Sequence, residues 1–252
     1  MKIDKNHPRY FSLSLREKLT GGIRAGITSE AGLIAHGRGE AFDYLIGEKT
    51  HDFAKKAIKA GAAYLLLAKK PIISVNGNAA ALCAKEIIEL AKLLNSRIEV
   101  NLFHYSHSRQ IKIEAYLKKL DGKRILKANN FKKIKIPGVA SKRAIVLGCG
   151  IGESDCILIP LEDGDRAEAL RKMGKKVIAI DLNPLSRTAR SATVTIVDNI
   201  ARCLPKLYDA IKLLRKKDIK KLTGIISEYD NKRILSEAEA KIRYARSEKR
   251  AK

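Results

Sequence analysis

The hydrophobic positions of this chain follow two patterns that alternate along its length. Short segments rich in apolar residues, typical of buried strands, lie at residues 71–75, 98–103, 125–127, 156–160, 177–180 and 193–197. Stretches with a helical spacing of apolar residues surround them, at 7–25, 50–70, 79–95, 109–120, 166–173 and from 199 onward. The pattern therefore predicts strands that alternate with helices.

This alternation predicts an α/β fold, because apolar strands joined by helices form a parallel sheet covered on both faces. We expect a Rossmann-like three-layer core with a mostly parallel sheet and helical N- and C-terminal additions. Neither an internal repeat nor a low-complexity linker divides the sequence, so we expect one domain spanning residues 1–252.

Composition narrows the class of protein. Of the 252 residues, 45% are hydrophobic and 31% are charged, as in folded globular proteins. No apolar run approaches the roughly 18 residues of a membrane span, and the start of the chain has no apolar signal segment. The four cysteines form no C-x-x-C pair, which favours reduced, buried side chains. We expect a cytoplasmic protein with no membrane partner.

The charge balance is strongly basic, with a formal net charge of +24. Such a surplus attracts anions, either RNA or small phosphorylated metabolites. Only 5% of the residues are aromatic and none is Trp, so platforms for base stacking are scarce. Nucleic acid is therefore the less favoured partner, and charge alone leaves the choice open.

A first candidate binding segment follows the predicted strand 71–75. Asn76, Gly77 and Asn78 stand where the strand should turn into a helix, and a glycine there lets backbone amides approach an anion closely. A tight turn with asparagine caps is the alternative interpretation.

A second candidate segment follows the predicted strand 177–180. Asp181 ends the strand and could bind a ribose hydroxyl or a metal ion, while Arg187 and Arg190 could reach phosphates. Just upstream, three acids follow the strand 156–160 and could hold Mg²⁺ on a nucleotide or favour a helix N-terminus: Glu162, Asp163 and Asp165. A plain surface loop is the alternative.

A third candidate segment, residues 32–43, is expected to be a loop rich in small and polar residues. It brings His36, Arg38, Glu40 and Asp43 close together in sequence, around glycines that permit close approach of a ligand. A structural histidine is the alternative.

The segment Gly148–Gly152 is similar to the glycine-rich turn of methyltransferases that use S-adenosylmethionine. That turn opens a helix, whereas here an apolar strand follows almost directly. We therefore expect a glycine-rich hairpin turn.

Seven motifs together resemble one known family. They are HPRY, AGLIAHGRGEAFDYLIGE, SVNGN, VNLF, PLEDGDR, IDLNPLSR and TIVDNI, and they span most of the chain except residues 109–152. This set is similar to the archaeal phosphopantothenate synthetases. The resemblance implies a homodimer that joins 4-phosphopantoate to β-alanine with ATP and Mg²⁺, releasing AMP and diphosphate.

The resemblance also implies which residues contact ATP. By matching motifs these are Arg16, Arg38, Asp181, Leu182, Asn183, Arg187, Thr188, Asn199 and Ile200. From residue type and position we further expect Arg38 to stabilise developing phosphate charge and His36 or Glu40 to accept the proton of the β-alanine amine. The amides of residues 76–78 would bind the phosphate of phosphopantoate. The competing hypothesis is an RNA-associated α/β protein without catalysis.

Overall fold

The computed structural model describes residues 3–102, 104–139, 144–160 and 164–244. Within these ranges six strands form a sheet in which every pairing is parallel. In chain order they are β1 Pro71–Val75, β2 Arg97–Val100, β3 Ile125–Leu126, β6 Cys156–Pro160, β7 Lys176–Ile180 and β8 Val194–Ile196. Two further strands, β4 Lys133–Lys135 and β5 Ile145–Leu147, pair antiparallel beside it.

The helices precede, connect and follow these strands. They are α1 Tyr10–Arg24, α2 Glu30–Ile46, α3 Asp52–Leu67, α4 Gly77–Leu94, α5 His107–Lys118, α6 Gly164–Lys172, α7 Arg187–Ser191, α8 Ile200–Leu214, α9 Ile219–Ser227 and α10 Asn231–Tyr244. In the described part of the chain, none of these helices is long and apolar enough to cross a membrane.

The strand order is β3-β2-β1-β6-β7-β8, so the chain runs outward from β1 in one direction and from β6 in the other. The predicted Rossmann-like α/β core is therefore confirmed. Such an order leaves a crevice at the carboxyl ends of the two central strands, where the winding direction reverses. The crevice lies between the ends of β1 and β6.

Both faces of the sheet are packed. Along β1, Ile73 and Val75 join the larger core cluster with α3, α4 and α8, whereas Ile72 points into the smaller cluster with α6 and the β4–β5 hairpin. The alternation follows from the two-residue period of a strand, and it explains why β1 is apolar except for the buried Ser74.

The predicted loop at 32–43 is wrong, because these residues lie inside helix α2. The Ser29 side chain accepts a hydrogen bond from the Gly32 amide and caps the helix start, and Gly47 ends it with a left-handed backbone (φ 90°). Only Asp43 and Ile46 of its 17 residues are buried. The helix therefore lies on the surface.

One prediction for the middle of the chain needs correction, and the end of the chain packs on the core. Gly148–Gly152 is not a hairpin turn, since it forms one wide turn between β5 and β6, which belong to different sheets. The basic region near the C-terminus is not a detachable solvated tail. Ile234, Leu235 and Ala238 of α10 are buried in the larger core cluster, so a chain cut after Lys232 would lose core packing.

Candidate active site

A cleft of about 580 Å³ lies at the predicted switch point of the sheet. This volume is within the range of about 300–1,000 Å³ that is common for small-molecule sites. Most of the predicted site residues line it: His36, Arg38, Asn76, Gly77, Asn78, Asp181, Leu182, Asn183, Arg187, Thr188, Asn199 and Ile200. The structure therefore brings together residues from five separate segments of the chain.

The turn from β1 into α4 forms the floor of the cleft. Asn76 caps α4, because its Oδ1 accepts a hydrogen bond from the Ala79 amide at 2.9 Å, and its Nδ2 donates to the Pro160 carbonyl at the end of β6. Asn78 donates to the Gly32 carbonyl of α2 at 2.7 Å. A Cβ on Gly77 would stand 2.3 Å from the Ile27 carbonyl oxygen, so this position requires glycine. Both asparagine side chains thus hold the protein together, which leaves backbone amides as the groups for a ligand.

The end of β7 contributes a buried carboxylate. Asp181 accepts hydrogen bonds from the Asn183 amide at 2.9 Å and from the Ser186 hydroxyl at 2.5 Å. Burial raises the pKa of Asp181, and these hydrogen bonds and the charge of Arg38 oppose the shift. Asp181 therefore shapes the loop that presents Leu182 and Asn183 to the cleft.

Arg187 begins α7 and packs closely on the first residue of α6. A Cβ on Gly164 would lie 2.4 Å from the Arg187 Cβ, so the glycine of PLEDGDR is needed for this approach. The Arg187 guanidinium donates to Glu168 at 2.8 Å, with 63% of the arginine side chain exposed. Arg187 therefore lies at the border of the cleft in an exposed ion pair, and a phosphate group can compete with Glu168 for its guanidinium.

Asn199 stands at the end of β8 and caps α8 by accepting a hydrogen bond from the Ala201 amide at 3.0 Å. Ile200, the first residue of α8, lines the cleft beside it. The N-termini of α4 and α8 thus both open onto the cleft, and helix N-termini favour anions.

Helix α2 covers one side of the cleft with His36 and Arg38. Burial lowers the pKa of His36, and its Nε2 is buried with no hydrogen-bond partner among the described residues. Arg38 is exposed and makes no ion pair within the described part of the chain, although its charge acts on Asp181. The helix therefore offers the cleft a neutral imidazole and an uncommitted cation.

Arg16 and Glu40 do not line this cleft. They face each other between α1 and α2, where the Arg16 guanidinium donates to both oxygens of Glu40 at 2.8 and 2.9 Å. Burial would raise the pKa of Glu40, but the hydrogen bonds and charge of Arg16 outweigh it and leave the pKa below its usual value. Glu40 is thus a weak proton acceptor, and the roles expected for these two residues stay predictions.

Comparison with known proteins adds an independent line of evidence. The phosphopantothenate/pantothenate synthetase family profile matches residues 53–245. Proteins named 4-phosphopantoate–beta-alanine ligase from Thermococcus kodakarensis and Thermococcus onnurineus are 50% and 51% identical over 244 and 243 residues, covering 96% of this chain and 93% of each relative. One of the same name from Methanosarcina mazei is 48% identical, covering 95% of this chain and 94% of its own length.

The chain belongs to the phosphopantothenate/pantothenate synthetase family. The resemblance inferred from the seven motifs is therefore confirmed. The match extends across residues 109–152, where no motif pointed to the family.

In this synthetase, a buried ion-pair network fixes α2 beside the cleft. Arg202 of α8 donates to both oxygens of Asp43 in α2 and also to Asp198, with distances from 2.5 to 3.0 Å. Asn199 donates to Asp43 at 3.0 Å, and the Thr50 hydroxyl donates to Asp198 at 2.6 Å. Because Asn199 lines the cleft, this Asp43–Arg202 network connects α2 directly to the ligand-facing end of α8.

Arg109 also lines the cleft, although no sequence motif pointed to it. It lies in α5, in the segment without matching motifs, and its guanidinium donates a hydrogen bond to the His104 carbonyl. A predicted strand end at residue 103 followed by a basic helix could have drawn attention to it, because residues after β2 must reach the same edge of the sheet.

The described residues do not by themselves form a magnesium site. No three His, Cys, Asp or Glu side chains among them lie close enough to hold a metal ion. Asp181 is the acid at the cleft, and both of its oxygens already accept internal hydrogen bonds. Glu162 and Asp163, for which the sequence left open either a role in holding Mg²⁺ or a helix N-terminus, lie outside the described residues, and Asp165 is not part of the cleft lining.

Proposed function

We propose that this chain joins 4-phosphopantoate to β-alanine at the expense of ATP and releases 4′-phosphopantothenate, AMP and diphosphate. The observation that carries the proposal is the cleft at the switch point, where two helix N-termini, Arg38 and Arg187 meet a neutral histidine. Relatives that are 46–51% identical are named 4-phosphopantoate–beta-alanine ligase, which supports the joining of these two substrates.

The chemistry requires activation of a carboxylate, which is a poor electrophile. Transfer of the adenylyl group of ATP to the acid gives an acyl adenylate with AMP as a good leaving group. Negative charge builds on the α-phosphate during this step, and Arg38 and Arg187 are the cations placed to stabilise it. Mg²⁺ would accompany ATP as the usual counterion of its phosphates.

We assign the nucleotide to the half of the cleft formed after β7 and β8. Asp181, Leu182, Asn183, Thr188, Asn199 and Ile200 line this half, next to Arg187. The acid substrate then occupies the half formed after β1 and β2. This arrangement places the reacting carboxylate between the two halves, beneath α2.

His36 is the proposed acceptor for the proton of the attacking amine. Its lowered pKa keeps the imidazole neutral near pH 7, and its buried Nε2 is a ring nitrogen that no described residue uses. Glu40 is held by Arg16 and lies outside the cleft, so we prefer His36 to Glu40.

We also propose that the enzyme is a cytoplasmic homodimer. Ile34 and Tyr44 on α2 are 76% and 73% exposed, which is unusual for large apolar side chains next to a cleft. Sedimentation equilibrium would measure the mass of the particle, and a monomer at micromolar concentration would contradict the dimer.

Product analysis tests the proposed reaction. Purified protein incubated with ATP, 4-phosphopantoate and β-alanine should yield AMP and 4′-phosphopantothenate in equal amounts, and omission of either acid or amine should suppress AMP. Formation of ADP instead would indicate an acyl phosphate intermediate. Steep loss of RNA binding with rising salt, without any turnover, would support the RNA-associated alternative.

A further inference from the structure

Arg109 lies at the edge of the cleft that is farthest from the proposed nucleotide half. The Ser106 side chain caps α5 by accepting a hydrogen bond from the Arg109 amide, which fixes the residue in the first turn of that helix. The guanidinium then reaches back to donate to the His104 carbonyl. One of its five donors is thereby used to orient the group, and the others remain for a ligand.

The charge of Arg109 is not balanced by the protein around it. No described acidic side chain forms an ion pair with it, whereas Arg187 has Glu168 and Arg202 has Asp43 and Asp198. Partial burial of the guanidinium lowers the pKa of Arg109. A half-buried cation that lines a cleft without a carboxylate partner is a site for an anion from outside.

Backbone donors point to the same end of the cleft. The amides of Gly77 and Asn78 are in the first turn of α4, line the cleft, and donate to no described residue. Asn76 and Asn78 use their side chains for internal hydrogen bonds, so the phosphate pocket expected there consists of amides and lacks a cation of its own. Arg109, which follows the neighbouring strand β2, supplies one.

The spacing of the strands matches the length of the acid substrate. From the end of β2 to the β1–β6 switch point is one to two strand spacings, about 5–10 Å. Five bonds separate the carboxyl carbon of 4-phosphopantoate from its phosphorus, which spans about 6 Å when extended. A charge-assisted hydrogen bond adds about 2.8 Å, so the carboxylate reaches the switch point when the phosphate is on Arg109.

We propose that Arg109 binds the phosphate group of 4-phosphopantoate, together with the first-turn amides of α4, and makes the enzyme select the phosphorylated acid over free pantoate. This inference rests on the proposed function. Arg38 and Arg187 then bind the phosphates of the nucleotide, and Arg109 binds the phosphate of the acid substrate.

The test is the preference between two acids that differ by one phosphate group. Wild type, Arg109→Ala and Arg109→Lys are assayed for AMP formation with 4-phosphopantoate and with pantoate. We expect Arg109→Ala to raise the KM for 4-phosphopantoate by about 10- to 100-fold, with pantoate turnover and ATP affinity close to wild type. Arg109→Lys should recover part of the preference, since it keeps the charge and loses the fork geometry.

Lys112→Ala is the matched control, because it removes a positive charge from an exposed position of α5 outside the cleft lining. It should keep the wild-type preference. An Arg109→Ala enzyme with an unchanged ratio of kcat/KM values for the two acids would overturn the inference and leave the proposed function standing.

Equilibrium binding of 4-phosphopantoate separates the two ideas further, since it requires no turnover. Absence of AMP formation by wild type would refute the proposed function. Equal binding of 4-phosphopantoate by wild type and a folded Arg109→Ala would refute the assignment of Arg109 whatever the reaction.

Discussion

The strongest prediction concerns the Asp43–Arg202 network, which should determine both stability and ligand affinity. Asp43 is 3% exposed and accepts hydrogen bonds from Arg202 and Asn199. Breaking a buried ion pair by removing one partner costs about 3–5 kcal/mol. Arg202 would keep its bonds to Asp198, so we expect Asp43→Ala to lower the free energy of unfolding by about 3 kcal/mol, the lower end of that range.

The same substitution should weaken ligand binding, because it frees α2 from the end of α8 beside the cleft. An increase of about tenfold in the Kd for ATP corresponds to 1.4 kcal/mol, roughly half of the stability loss. Asp43→Asn keeps the shape and one acceptor oxygen but loses the charge, so its effects should be intermediate.

Urea unfolding followed by far-ultraviolet circular dichroism measures the stability, since the chain has no Trp to report by fluorescence. At about 2–4 °C per kcal/mol for a chain of this size, the Tm of Asp43→Ala should fall by about 6–12 °C. Glu89→Ala, which breaks an exposed ion pair with Lys92, is the control and should scarcely move the Tm. If the two variants unfold alike, the network does not hold α2 in place.

Four other predictions follow from the cleft and the core. Arg38→Ala should lower kcat/KM by an amount that corresponds to about 2–4 kcal/mol of transition-state stabilisation. Arg171→Ala, at an exposed position, is the control and should leave kcat/KM unchanged. Near-normal turnover by Arg38→Ala would remove Arg38 from the site. Because burial lowers the pKa of His36, its neutral form persists below pH 6.5. The acid limb of the kcat/KM profile should therefore lie below pH 6.5 and should be absent in His36→Gln. An acid limb that survives in His36→Gln would exclude His36 as the base. The folded state resists protonation of His36, so the unfolding free energy of wild type should drop relative to His36→Gln as pH falls below 6.5. Ending the chain after Lys232 removes the buried Ile234 and Leu235 at about 1.5–3 kcal/mol each, so it should melt well below a chain that ends after Tyr244, and equal melting would contradict the packing of α10.

The sheet could be predicted well from sequence because each central strand is buried on both faces. Segments rich in apolar residues predicted β1 and β6 with the bounds that the structure has, and β7 within one residue. The β4–β5 hairpin was missed because its strands have three residues each, which is too short for a period of two to be recognised. The single-domain organisation stays a prediction.

Helix α2 was missed for a different physical reason. It contains three glycines, each costing about 1 kcal/mol relative to alanine in a helix, and it buries too few apolar residues to show a helical period. Its stability comes from contacts that the local sequence does not reveal: the Asn78 side chain on the Gly32 carbonyl, and Arg202 on Asp43. Tertiary contacts therefore override a weak local preference.

In the candidate site, too, local sequence motifs identified some residues, whereas contacts between distant parts of the chain could not be predicted. Motif matches found the residues after β7 and β8 because they follow strands in short, distinctive segments. No local pattern could show that Arg16 pairs with Glu40 or that the asparagines after β1 are occupied by other parts of the fold. Arg109 was missed because its candidacy as an anion-binding residue depends on the absence of an acidic partner among the described residues around it, a property of the folded structure.

The fold and the cleft together account for the net charge of +24. The basic C-terminal helices bury Leu207, Ile211 and Ile234, so they are core elements whose lysines face outward. ATP and 4-phosphopantoate both carry net negative charge, so a positive field around the cleft raises their local concentration without any nucleic acid, whereas zwitterionic β-alanine has no net charge. The amine of β-alanine must nevertheless lose a proton, which requires a neutral base among these cations. Burial of His36 satisfies this requirement, because desolvation and the charge of Arg16 disfavour its protonated form and outweigh the opposite effect of Glu40 and Asp43 on its pKa.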